Sequence, residues 1–151
     1  MTRIRPGRTD SFTSYMTKPT TVRTRRLVAA AAAVLVAAVD LGQKLIGGPA
    51  LHHERSIRAV AVMGLVAFGL VAVVPGIRSL PVVLGAGIAA GGAIGNLVSA
   101  LAWSAGVPDP LVLRNFAFNL ADVFVLAGDA LLLTSAAVYA LRNRSHLRQA
   151  V

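Results

Sequence analysis

The chain contains no cysteine, which excludes disulfides, thiolate metal centres and a lipid-bearing cysteine of its own. Acidic residues are scarce, 6 Asp and Glu against 15 Lys and Arg, and charged residues together fill only 14% of 151 positions, against roughly 25% in soluble domains. Aromatics are 5%, so no aromatic core can form, and packing falls to Ala, Val, Leu and Gly, which suit close-packed membrane helices. What is abundant is apolar sequence, with 56% hydrophobic residues and a mean hydropathy of +0.70. Such a chain reads as one small all-α bundle in a bilayer. The net charge of +9 does not indicate a nucleic-acid partner, because the basic residues sit in tails and loops with no fold to present a groove.

Four apolar stretches follow one another. Residues 1–26, polar and rich in Thr and Arg, have the composition of a disordered tail. The first stretch, about 27–47, opens with the uncharged run LVAAAAAVLVAAV and admits Asp40 and Lys44 near its far end. A basic start before an Ala-rich run also fits a signal peptide, but three more stretches, about 57–74, 82–107 and 116–141, each approach the roughly 20 residues that span a bilayer. Residues 142–151 form a second basic tail. Basic residues in short loops stay cytoplasmic. Arg23, Arg25 and Arg26 before the first stretch, Arg78 between the second and third, and Arg142, Arg144 and Arg148 at the end therefore predict four crossings with both termini inside.

In that orientation the polar residues of the spans gather at one depth. Asp40 and Lys44 end helix one, Asn96 lies late in helix three, and Asn119 and Asp122 open helix four, all in the outer third, with Asp109 in the adjoining loop. Ionisable groups in a membrane cost roughly 2.5–3.5 kcal/mol each at its centre, so such a cluster marks a site. Helix three also carries Gly87, Gly91, Gly95 and Ser99 at every fourth position, a stripe that lets a neighbouring backbone approach closely.

Three blocks resemble signal peptidase II, the lipoprotein signal peptidase, a four-helix bacterial membrane aspartyl protease. Asp40-Leu41-Gly42-Gln43-Lys44 is similar to the family's D-Q-x-x-K, Gly91-Gly92-Ala93-Ile94-Gly95-Asn96 to its G-G-A-x-G-N, and Phe118-Asn119-Leu120-Ala121-Asp122 to its F-N-x-A-D. The resemblance implies an endopeptidase of the bacterial cell membrane that removes signal peptides from prolipoproteins bearing a diacylglyceryl-cysteine, at the extracytoplasmic side. It implies catalytic roles for Asp122 and for Asp109, the latter with Pro110 where the family has Phe, and it requires no metal or cofactor. Ser99-Ala100 stands where the family has Asp-Arg, and the 48–58 loop is short. A carboxyl pair suits peptide hydrolysis because close like charges tend to share one proton, leaving one base and one acid.

Each residue also has a plainer reading. Asp40 and Lys44, four apart, can be a structural ion pair; Asn96 and Asn119 can be interhelical hydrogen-bond partners; Asp109 between prolines can be an exposed turn residue. His52-His53-Glu54 holds metal-ligand types, but adjacent histidines point apart, and a surface loop is the default. Asp129 has no counterpart in the family pattern. The competing functions are a catalytically impaired member of the family and a small proton-coupled transporter subunit or assembly factor using Asp122 and Asp129.

Overall fold

A computed structural model describes residues 20–47 and 51–144; of the tail expected to be disordered over residues 1–26, residues 1–19 lie outside these, whereas 22–26 are helical and correct that expectation, and residues 145–151 of the basic C-terminal tail also lie outside. Four helices, α1 (Val22–Ile46), α2 (Ile57–Ala72), α3 (Leu80–Ala102) and α4 (Leu120–Arg142), make up the body. All four are long and apolar enough to cross a membrane, the second when counted through the 3₁₀ turn Val74–Gly76.

Helix ends depart from the hydropathy boundaries for local reasons. α1 starts at Val22 rather than at the apolar run, because Thr21 caps it, its side chain accepting from the Thr24 amide at 3.1 Å. The basic residues then complete a helical turn: Arg25 Nε donates to the Pro75 carbonyl at 2.8 Å and Arg26 Nε to that of Ala72 at 2.9 Å. α2 starts after Ser56, whose hydroxyl accepts from the Ala59 amide at 3.2 Å. α3 stops at Ala102 although apolar sequence continues, because Trp103 is extended and Gly106 adopts φ 98°, a conformation that disfavours residues with a Cβ.

The spans are all-α as expected, and short strands that the sequence did not announce join the loops at this end of the bundle. β1 (Leu51–His53) pairs antiparallel with β2 (Val107–Asp109), setting Leu51 opposite Asp109 and His53 opposite Val107. β3 (Leu111–Leu113) pairs with β4 (Phe116–Phe118) across a turn in which Arg114 takes φ 53°. Three-residue strands are too short to show a period of two, and Pro108 and Pro110 obscure them further. α4 therefore starts after β4, at Leu120, and not at Phe116.

α3 is the centre: 67% of its spanning window is buried, against 6% for α2 and for α4. Outward side chains such as Leu35, Leu65, Phe68, Leu126 and Leu133 are exposed, as expected of a surface solvated by acyl chains rather than water. One face of α3 meets α1 through the predicted stripe; a Cβ on Gly87 would stand 2.7 Å from the Ala29 carbonyl oxygen and one on Gly91 2.6 Å from Val36 Cβ. A second face, not singled out in the sequence, meets α4, where a Cβ on Gly85 would stand 2.6 Å from the Leu132 amide nitrogen. Gly128 of α4 lies directly against the Ala89 backbone.

Contacts this close predict a contrast. Gly128→Leu should cost about 3 kcal/mol or more by forcing α3 and α4 apart, whereas Gly69→Leu, with nothing within 4 Å of its added Cβ, should stay within about 1 kcal/mol of wild type. Unfolding free energies in detergent micelles check both, and equal losses would contradict the packing described.

Candidate functional site: a hydrogen-bonded carboxylate cluster

The cluster begins at the end of α1. Asp40 is completely buried and Lys44, one turn on, nearly so; Lys44 Nζ lies 2.8 Å from Asp40 Oδ2. Two buried opposite charges attract strongly but lose their hydration, and such a pair persists only when further polar groups complete it. Here α3 and α4 supply them. Lys44 Nζ donates to Asn96 Oδ1 at 2.9 Å and to Ser99 Oγ at 3.0 Å, and the Ser99 hydroxyl in turn donates to the Gly95 carbonyl at 2.7 Å. Asp40 Oδ1 accepts from the Ala121 amide at 2.8 Å, one of the first-turn donors of α4 that have no partner inside the helix.

Gly95 makes this approach possible, since any Cβ there would strike the Asp40 carboxylate. The same helix face then presents Asn96. Its oxygen is taken by Lys44, so its amide nitrogen must be the donor, and that nitrogen donates to Asp122 Oδ1 at 2.9 Å.

Asp122 and Asn119 form a capping box at the start of α4. Asn119 Oδ1 accepts from the Asp122 amide at 3.2 Å, and Asp122 Oδ2 accepts from the Asn119 amide at 3.3 Å, the reciprocal arrangement that closes a helix N-terminus. Asn119 is fully buried, and with its oxygen committed to the cap its Nδ2 donates to Asp109 Oδ1 at 2.6 Å. The other Asp109 oxygen meets His53 Nδ1 from the paired strand β1.

Asp40, Lys44, Asn96, Asp122, Asn119 and Asp109 thus form one continuous polar chain running from α1 through α3 and α4 to β2, with His53 at its end. The six residues singled out in the sequence all belong to it. Asp109 is 2% exposed, which rules out the exposed-turn reading. Ser99 and His53 also belong, though the sequence marked one only as a small packing residue and the other as surface loop. Ser99 lies three residues after Asn96, which places both on one helical face; His53 is brought in by strand pairing alone, which leaves no local signal. Asp129 takes no part, making no hydrogen bond or ion pair among the described residues.

An open cleft of about 450 Å³ leads to this chain between α2 and α4, with Asp122 and Asn96 on its floor, Arg55 at its rim and Met63, Val66 and Leu126 among its walls. Asp122 therefore lines the cleft, whereas Asp109 does not and is buried against Asn119.

Fold and site together define a multi-pass membrane protein with clustered carboxylates at one end of its helices. The chain belongs to the signal peptidase II family: the family model for signal peptidase (SPase) II matches residues 47–138, a family of aspartic peptidases acting on lipoprotein signal peptides. The match includes Asn96, Asp109, Asn119 and Asp122 and starts beyond Asp40 and Lys44. No curated protein and no solved structure matches the chain.

The double duty of Asn119 can be separated. Asn119→Ala and Asn119→Ser both remove the donor to Asp109, but Ser retains an oxygen able to cap α4. Asn119→Ala should therefore be the less stable of the two by about 0.5–2 kcal/mol, measured by unfolding in detergent; equal stabilities would show that the cap contributes nothing.

Proposed function

We propose that this chain is an aspartic endopeptidase of the signal peptidase II type, cleaving the signal peptides of lipid-modified prolipoproteins, with Asp109 and Asp122 as its carboxyl pair. The observation that carries the reading is the convergence of these two aspartates on Asn119, one through the amide nitrogen and the other through the capping box. We assign the termini to the cytoplasm and the carboxylate end to the extracytoplasmic half of the bacterial cell membrane, following the distribution of Arg and Lys.

In this reading the apolar cleft between α2 and α4 admits the signal peptide and its acyl chains laterally from the bilayer, and Asp122 meets the scissile bond at its floor. One carboxylate of the pair takes a proton from water as the water oxygen attacks the carbonyl carbon. The other, protonated, donates to the carbonyl oxygen, giving a tetrahedral diol. Collapse of the diol breaks the C–N bond and returns a proton to the leaving amine, so the pair ends with the proton it began with. Asn96 and Asn119 hold the two carboxylates in place, and Asp40 with Lys44 anchors α1 to them. Arg55 at the cleft rim supplies a cation for substrate carbonyl groups.

Complementation of a bacterium depleted of its own signal peptidase II tests this directly. Wild type should restore prolipoprotein processing, and Asp122→Asn and Asp109→Asn should each lower the cleavage rate by on the order of 10²- to 10⁴-fold while remaining inserted and folded. Equal processing by either variant removes that residue from the pair. A wild-type chain that folds but does not process would instead identify a non-catalytic family member.

A further inference from the structure

The end of the bundle opposite the carboxylates holds a second site. Arg26 and Asp40 are fourteen residues apart on α1, or roughly 21 Å along the helix axis. Here α1 and α2 border an open groove of about 600 Å³, lined by Leu27, Ala30, Phe68 and Val71 together with Arg23 and Arg26. Arg26 is held in place by the bond from its Nε to the Ala72 carbonyl, and its terminal nitrogens make no hydrogen bond among the described residues. Next to it, Arg25 is buried against the Pro75 and Thr20 carbonyls and shares a smaller cleft with Arg78. The ion pairs of the described residues are Lys44 with Asp40 and His53 with Asp109, so no described carboxylate neutralises these arginines.

A ligand for this groove must combine a compact negative charge beside these arginines with a long apolar portion along the helices. The chain's own first residues do not fit, because Arg3, Arg5, Arg8 and Lys18 outnumber Asp10 there and would meet like charge. A second copy would bring the same basic end. We propose that the α1–α2 groove binds one anionic phospholipid, its phosphate on Arg23 and Arg26 and an acyl chain along Leu27, Ala30, Phe68 and Val71. Basic pockets between membrane helices suit such headgroups, and guanidinium groups suit phosphate oxygens. α2 is docked mainly on α3 and touches α1 sparingly, so the lipid fills the space left between α1 and α2. The proposal is independent of the peptidase reading.

The test uses the full chain in mild detergent, titrated with dioleoyl phosphatidylglycerol or dioleoyl phosphatidylcholine, with bound lipid counted by native mass spectrometry. Wild type should retain one phosphatidylglycerol with at least about a tenfold preference over phosphatidylcholine. Arg23→Gln/Arg26→Gln should abolish the preference, whereas Arg142→Gln/Arg144→Gln, which removes as much charge elsewhere, should preserve it. Ala30→Phe, which fills the groove and leaves every charge in place, should lower retention by a similar factor, and it carries the test alone if the arginine variant does not fold. Equal retention of both lipids by wild type, equal loss in the two arginine pairs, or full retention by Ala30→Phe would each overturn the proposal.

Discussion

A lysine and an aspartate buried against each other inside an apolar bundle impose the constraint from which the rest of the site follows. Separating the Asp40–Lys44 pair from water is costly, and only a full set of partners makes it tolerable. Those partners come from two other helices: Asn96 and Ser99 of α3, and the Ala121 amide of α4. One pair therefore fixes the rotation and depth of three helices at once. Small residues on α3 bring the backbones near enough, and at Gly95 the absence of a side chain is what leaves room for the Asp40 carboxylate. Helix packing in a bilayer lacks the hydrophobic drive of water, so close backbone packing and interhelical polar ties of this kind set the register.

One aspartate of the proposed pair inherits its position from that tie, and the other from the helix cap beside it. Asn96 is oriented by Lys44 and in turn holds Asp122; Asn119 is oriented by the α4 cap and in turn holds Asp109. In each case one end of an amide is committed to structure and the other end serves the site, so no side chain needs to be held by function alone. The F-N-x-A-D block has the same double character. Its Asn and Asp close the helix as any capping box does, and closing it sets the carboxylate at the end of the cleft.

The parts of this arrangement legible in the sequence are those whose cost is visible there. Four apolar stretches announce four helices, and charged or amide side chains inside them stand out because the bilayer penalises them. Asp40, Lys44, Asn96, Asn119 and Asp122 were recognisable on those grounds. Parts that depend on pairing between distant segments were not. The β1–β2 ladder that buries Asp109 and delivers His53 rests on three residues from each strand, too few for periodicity to register. The glycine face toward α4 holds Gly85 and Gly92, seven residues apart, and so forms no every-fourth stripe like the one toward α1, and the first turn of α1 is polar in sequence yet helical, with Arg25 and Arg26 donating through Nε to the Pro75 and Ala72 carbonyls. Asp129, conspicuous by its charge, belongs to none of these contacts.

The register of the bundle depends on the buried pair acting as a unit, and a double-mutant cycle measures that most directly. Unfolding free energies in detergent for wild type, Lys44→Met, Asp40→Asn and the double variant isolate the coupling. Lys44→Met alone, which strands a buried carboxylate, should cost on the order of 3–5 kcal/mol, and adding Asp40→Asn should recover part of that loss. Single substitutions that each cost under about 1 kcal/mol and simply add in the double variant would contradict the claim that this pair sets the register of the bundle.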